Sequence, residues 1–209
     1  MPEGSPPPLT PEGFAELFRV SRETLDRLTA YVELLQRWQA RINLISPATL
    51  PDIWRRHILD SAQLLPLLPH PGVNLYDIGS GAGFPGLVLA ILGASHVHLI
   101  ESDQRKTAFL REAARITSTS LQLHMVRAEK LAAQGADVVT ARACASLPEL
   151  LDLAAPLLAP AGICLFLKGR GAEAELTAAN KTWKMRAAKI ASCTDPTGVI
   201  LRLEDLHHV

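Results

Sequence analysis

Asn74-Leu75-Tyr76-Asp77-Ile78-Gly79-Ser80-Gly81-Ala82-Gly83-Phe84-Pro85-Gly86 is an apolar run that gives way to glycines at alternate positions. Leu87 to Leu92 follow with helical character, so the segment reads as strand, tight turn and helix, with Pro85 suited to the helix's first turn. In a doubly wound sheet this first βα turn is where a nucleotide binds. Glycines let the backbone approach the ligand, and the helix offers unpaired N–H groups. Gly81-x-Gly83-x-x-Gly86 also satisfies the dinucleotide pattern, which is weak when taken alone. Glu101 strengthens it, because it stands twenty residues after Gly81 at the end of the next apolar run, where a carboxylate can bind ribose hydroxyls.

Downstream, short β-like runs alternate with helical ones: Val73 to Ile78, His96 to Glu101, Leu121 to Val126, Asp137 to Arg142 and Ile163 to Leu167. Such alternation predicts βαβ units and a mostly parallel sheet. Trp183 to Ser192 and Val199 to Leu203 break the pattern. The turn sequence Asp195-Pro196-Thr197-Gly198 joins them, and strands so joined are antiparallel. Upstream, Met1 to Pro8 reads as a disordered, proline-rich start, and Thr10-Pro11 as the cap and first turn of a short helix. From Ser21, Leu25, Leu28, Val32, Leu35, Trp38 and Ile42 form one face of a long helix. Further helical segments carry Trp54 to Ile58 and run to Leu68 before Pro69-His70-Pro71-Gly72. We expect a start and helical cap over 1–70 and an α/β core over 71–209.

The 209 residues include 21 Lys and Arg against 21 Asp and Glu, so no global field holds an anionic polymer or a membrane. A nucleic-acid partner must be met by a local patch. Residues 1–70 carry seven Arg against eight acids and show no excess. Between Lys168 and Lys189, by contrast, Lys168, Arg170, Lys181, Lys184, Arg186 and Lys189 face only Glu173 and Glu175, a local +4. These are candidate phosphate contacts or, equally, cations that blunt a sheet edge. Cys144, Cys164 and Cys193 are odd in number and never in Cys-x-x-Cys, so reduced thiols in a cytoplasmic protein with no metal site are expected. Met1 to Pro8 lacks secretory character, and the uncharged stretch Leu153 to Leu167 is too short and proline-broken to span a membrane.

Asp77 followed by Gly79-x-Gly81-x-Gly83 resembles the first motif of class I S-adenosylmethionine-dependent methyltransferases, whose sheet also ends in an antiparallel hairpin. Further segments extend the likeness: Asn43-Leu44-Ile45-Ser46; Trp54 with Arg56-His57 and Asp60-Ser61; Phe84-Pro85-Gly86; Glu101-Ser102 with Arg105-Lys106 and Phe109-Leu110-Arg111; Arg127-Ala128-Glu129; Thr140-Ala141-Arg142-Ala143; Leu167-Lys168-Gly169. In this order, over about residues 40 to 176, they resemble the bacterial 16S ribosomal RNA guanine-N7 methyltransferase family, called RsmG or GidB.

The resemblance implies a class I methyltransferase sheet and S-adenosylmethionine as cofactor. It also implies methyl transfer to N7 of one guanosine in the decoding region of 16S ribosomal RNA. It would place the cofactor against Gly79 and Phe84, Ala128 and Glu129, and Arg142, with Glu101 on the ribose; the motif adds Asp77, Gly81 and Gly83. Asn43, Arg56, His57 and Lys168 are expected near the RNA or holding the cap, and Lys184 joins them from the basic stretch.

Guanine N7 is an unprotonated lone pair, so no catalytic base is required and positioning alone can carry the reaction. Arg127 or Arg142 could donate to guanine O6. His57 equally suits a hydrogen-bonded structural role, Asp60 a helix cap and Cys144 a small packing position. The near-zero charge favours the small subunit or an assembly intermediate over bare RNA, and a monomer is expected. A methyltransferase for another RNA or a small molecule, a nicotinamide oxidoreductase and a non-catalytic ribosome-assembly factor remain as alternatives.

Overall fold

The computed structural model describes residues 6–132 and 135–209; the expected disordered start lies outside the described residues as far as Ser5. Residues 6–8 run without regular structure, and the Pro7 carbonyl accepts from the Arg55 guanidinium (2.6 Å).

Seven strands form one sheet: β1 (Leu75–Ile78), β2 (Val97–Ile100), β3 (Gln122–His124), β4 (Ala136–Arg142), β5 (Leu158–Lys168), β6 (Trp183–Ala191) and β7 (Val199–His208). Their order is β3-β2-β1-β4-β5-β7-β6. Every pairing from β3 to β5 is parallel, while β7 runs antiparallel between β5 and β6. The expected hairpin is therefore present with its second strand inserted inward, and β6 is the edge. Both late strands exceed their apolar cores. β7 stays paired out to His208, opposite Trp183, and β5 begins at Leu158, with a register shift opposite β4 that admits Pro160.

Strand alternation divides the core. Leu75, Val97, Leu99, Val138 and Leu165 face α4 (Gly86–Ile91) and α5 (Gln104–Ile116). Tyr76, Ile78, Val139, Ala141 and Phe166 face α6 (Leu147–Ala154) and α7 (Ala172–Ala179). The N-terminal helices α1 (Pro11–Phe18) and α2 (Arg22–Gln39) have no core of their own. Phe14, Leu28, Tyr31 and Leu35 are fully buried in the cluster that holds α4 and α5. Each such side chain contributes about 1.5–3 kcal/mol.

Local signals explain the starts of these helices. Thr10 Oγ1 accepts from Gly13 N (3.0 Å) with Pro11 in the first turn, and Ser21 Oγ accepts from Thr24 N (3.1 Å). The end of α2 comes earlier than the apolar stripe suggested, leaving Ile42 beyond it. The Gln39 carboxamide takes over there, its Oε1 accepting from Leu44 N and Ile45 N while its Nε2 donates to Ile45 O (2.8 Å). The chain then runs through a 3₁₀ turn (Pro47–Asp52), a π-helical turn (Trp54–Leu59) and α3 (Asp60–Ala62). A π turn inserts a residue into the helical ladder and re-aims side chains, and such turns concentrate at functional sites. His57 lies within it.

Candidate active site

The glycine loop is fixed from three sides. Ser80 N donates to Ile100 O at the end of β2 (3.1 Å), Gly81 N to Glu101 Oε2 (2.9 Å), and the Tyr31 hydroxyl of α2 to Ala82 O. Glu101 Oε1 also accepts from Asp103 N (2.7 Å), so this carboxylate ties the loop to the start of α5. Pro85 sits one residue before the first turn of α4.

The three alternating glycines serve different needs. All have positive φ, of 64° at Gly79, 58° at Gly81 and 99° at Gly83. A β-carbon on Gly83 would lie 2.8 Å from Leu87 Cβ and 3.1 Å from Leu110 Cδ2, so Gly83 is required by core packing behind the loop. One on Gly81 would meet nothing nearer than Gly79 O at 3.7 Å and would project into the cleft. We therefore expect Gly83→Ala to lower stability by about 2–4 kcal/mol through overpacking and left-handed backbone. Gly81→Ala should cost only the backbone part and show its main loss in ligand affinity. Denaturant unfolding and ligand titration of both variants check the contrast; equal stability losses would defeat it.

The Asp77 side chain is buried against Gly86, behind the glycine loop. Alternation places its side chain on the same face as Leu75, beneath the start of α4, where it is fully buried. Its Oδ1 accepts from Thr140 Oγ1 (2.8 Å) and its Oδ2 from Gly86 N (3.3 Å). Burial raises its pKa to about 6 against those bonds.

Along the C-terminal ends of the strands, three adjoining cavities share their walls. The first, about 170 Å³, brings together Gly79, Glu101, Arg127, Ala128 and Glu129. The second, about 570 Å³, is bounded by Gly79, Gly81, Phe84, Glu101, Arg142 and Cys144. The third, about 220 Å³, is lined by Arg56, His57, Asp60, Arg142 and Lys168 together with Thr194 of the β6–β7 connection. Glu101 and Gly79 belong to the first two, His57 and Arg142 to the last two. Arg127 thus lines the first cavity, while Arg142 stands between the second and the third.

The partition between the second and third cavities is a hydrogen-bonded stack. Arg142 donates from Nη2 to His57 Nδ1 (2.8 Å) and from Nη1 to Arg56 O (3.1 Å), with Asp60 Oδ2 at 3.5 Å. Arginine only donates, so the His57 proton is on Nε2 and is given to Thr49 Oγ1 (2.7 Å), which in turn donates to Ser46 O (2.8 Å). The His57 ring lies 4.9 Å from that of Phe84, and the guanidinium 4.8 Å from the same ring. Burial, then the Arg142 and Arg56 charges, lower the His57 pKa to about 3, so the ring is neutral at pH 7 with both nitrogens engaged. The structural role expected of His57 is met. Arg142 has both terminal nitrogens committed to the protein and forms the wall itself.

Several other residues sit differently from expectation. Asp60 caps nothing, because the helical backbone continues through it. Its Oδ1 accepts from Gln63 Nε2 (2.9 Å) and Thr194 Oγ1 (2.6 Å), joining the cap to the β6–β7 connection. Lys168 is turned inward, its side chain 6% exposed, with Nζ on Glu175 Oε2 (2.7 Å) and Ala145 O (2.8 Å). Within the basic stretch, Lys189 takes Glu173 (2.6 Å) as Lys168 takes Glu175, Arg186 pairs with Glu204 and Asp205 of β7, and Arg170, Lys181 and Lys184 enter no ion pair within 4 Å among the described residues. Lys184 is exposed on β6, the sheet edge, as the edge-blunting alternative requires. Asn43 is exposed outside these cavities and accepts from Gln39 Nε2 (3.3 Å). Cys144 is exposed as a residue, but its side chain packs where a β-carbon on Gly79 would fall, its thiol lies against Ile78 O (3.5 Å), and burial of that group raises its pKa to about 11. Local sequence gave no sign of Thr49, eight residues from His57, or of Thr194 and the Tyr31 hydroxyl, which join this site from far along the chain.

A family model described as rRNA small subunit methyltransferase G (GidB) matches residues 24–198. The chain belongs to that family. Among relatives of the same name, the protein of Paramagnetospirillum magneticum is 57% identical over 94% of this chain and 96% of its own. That of Rhodospirillum rubrum is 56% identical over 95% and 99%. Solved structures support the fold alone at this family's distance from them. Magnesium protoporphyrin IX methyltransferase of Synechocystis with bound SAM superposes with a TM-score of 0.60 at 15% identity, over 89% of this chain and 98% of that one. Ribosomal protein L11 methylase of Lactobacillus delbrueckii gives 0.59 at 15% identity, over 70% and 77%. The sheet is a class I methyltransferase sheet, as the resemblance implied.

Proposed function

We propose that the protein transfers a methyl group from S-adenosylmethionine to N7 of a guanosine in the decoding region of 16S ribosomal RNA. The single observation carrying this reading is the run of three adjoining cavities with the glycine loop and Glu101 at its middle, in a chain of this family. The cofactor fits the residues present. Gly81 leaves room where a β-carbon would intrude, and Glu101 spends one hydrogen bond per oxygen on the backbone, keeping acceptor capacity for ribose hydroxyls. Ala128 and Glu129 would flank the base in the first cavity, and Phe84 would close the second.

When bound, S-adenosylmethionine supplies an electrophilic methyl group. The chain's own work is alignment, in which the Phe84–His57–Arg142 partition sets the boundary between donor and acceptor cavities. Neutral His57, with both nitrogens engaged, leaves the N7 lone pair free to react, and no proton has to be removed there. Holding two reactants in line supplies on the order of 7–11 kcal/mol. With Arg142 bound to the wall, Arg56 at the mouth of the third cavity is the better placed arginine to meet the nucleotide. The substrate would be the small subunit or an assembly intermediate, whose protein surface shares recognition that a chain of zero net charge does not achieve alone, and the enzyme a cytoplasmic monomer. No described helix is long and apolar enough to cross a membrane.

The test is transfer of labelled methyl from S-adenosylmethionine to small subunits lacking N7 methylation, followed by borohydride–aniline cleavage. One cleavage in the decoding region, with faster labelling of particles than of bare RNA, is the expected result. Labelling without cleavage would remove the N7 assignment, and no labelling would remove the activity.

A further inference from the structure

Outside the cleft, a surface groove of about 780 Å³ lies between the C-terminal half of α2 and the first turns of α5. Arg37, Arg41 and Arg105 line it, with Trp38 and Leu34 as its apolar floor. The three arginines are exposed, and none enters an ion pair within 4 Å among the described residues. The acid on the groove's wall, Glu112, is already used: both of its oxygens accept from Arg115 (2.9 and 2.7 Å). Counting charges along residues 1–70 hid this surface, because Arg105 comes from another part of the chain.

The groove and the reaction cleft are linked along the chain at two points. Arg105 is followed by Lys106, which lines the second cavity, and α2 leads directly into Leu44, Ile45 and Ser46 on the same cavity wall. Gln39 pins that wall to the end of α2 through its bonds to Leu44 and Ile45. A strand whose target base enters the cleft beside Ser46 and Lys106 would therefore pass directly along Arg41 and Arg37.

We propose that the α2–α5 groove holds the phosphodiester backbone of single-stranded RNA flanking the target nucleotide, with Arg37, Arg41 and Arg105 on the phosphates. Three cations of one sign over an aromatic floor match a polyanion that carries flat bases. This deepens the activity proposed above and rests on it for the choice of RNA, but the test does not need catalysis.

Binding of a decoding-region RNA fragment is measured against salt for the wild type, R37A/R41A, R37K/R41K and R105A, in parallel with methyl transfer and S-adenosylmethionine affinity. Each arginine lost should reduce the slope of log affinity against log salt by about 0.7. R37A/R41A should therefore bind the fragment several-fold more weakly and show a raised KM for RNA, with kcat and cofactor affinity unchanged; the lysine pair should restore the slope. Unchanged RNA affinity and slope would overturn the proposal. So would weakened binding to intact subunits with normal binding to RNA, which would make the groove a protein contact, or a loss confined to cofactor affinity. A wild type that binds RNA through these arginines and transfers no methyl would refute the activity and leave the groove standing.

Discussion

Arg142→Ala is expected to lower methyl transfer by about 10²-fold while cofactor affinity changes far less. The guanidinium supports its neighbours in three directions: it donates to His57 Nδ1, it meets Arg56 O and Asp60 in the cap, and it covers the Phe84 ring. Truncation leaves His57 without its donor and releases the partition between the two larger cavities. A misplacement of about 1 Å is enough for a loss of that order when catalysis is alignment. The stability cost should be about 1–3 kcal/mol, since Asp60 keeps Gln63 and Thr194 as donors.

Arg142→Lys should recover little, because one ammonium cannot reach His57, Arg56 O and Asp60 together. Burial, the largest cause of the low His57 pKa, persists in both variants, so the loss should be the same from pH 6.5 to 8. Single-turnover rates with bound cofactor check this. Wild-type rates in Arg142→Ala would show that the partition does not align the reactants.

Asp77→Asn should stabilise the protein at pH 7.5 by roughly 1–3 kcal/mol, with the gain vanishing near pH 4. The folded-state pKa, about 6, lies above the ordinary 3.8, chiefly because the carboxylate is fully buried under α4. Between those values the folded chain holds the proton more tightly than the unfolded chain. Stability from this site is complete below pH 3.8 and is lost as pH rises through 6. Above that the ionised group is the costly form by up to about 3 kcal/mol.

Asparagine removes the charge and can keep both bonds, its Oδ1 accepting from Gly86 N and its Nδ2 donating to Thr140 Oγ1, with that hydroxyl turned round. Urea unfolding of both proteins at pH 4, 5, 6 and 7.5 measures the difference, which cancels titrations the two share, such as that of His57. A gain that does not depend on pH, or a loss at pH 7.5, would contradict the burial argument.

Sequence alone determined the sheet and its glycine turn, because apolar alternation and glycine spacing report local geometry: successive strand residues face opposite sides, and only glycine accepts the backbone at Gly79 and Gly81 freely. Glu101 was placed beside the loop by its position at the end of the neighbouring strand, whereas Ala128 and Glu129, which line the same cavity, were implied by the family resemblance.

Tertiary structure alone decided which charges are available. Arg186 reads as part of a basic patch along the chain and meets Glu204 and Asp205 of β7 only through the fold, while Arg37, Arg41 and Arg105 become a patch only when α2 lies against α5. Asp77, the acid of the motif, is turned under α4 onto Thr140 and Gly86 by the strand's own period of two. Coulombic and hydrogen-bonded partners act through a few ångströms of space, and 82 residues separate Asp60 from Arg142 while their atoms stand 3.5 Å apart. Local pattern carries no information about such a meeting, which the packing of cap, sheet and terminal hairpin fixes.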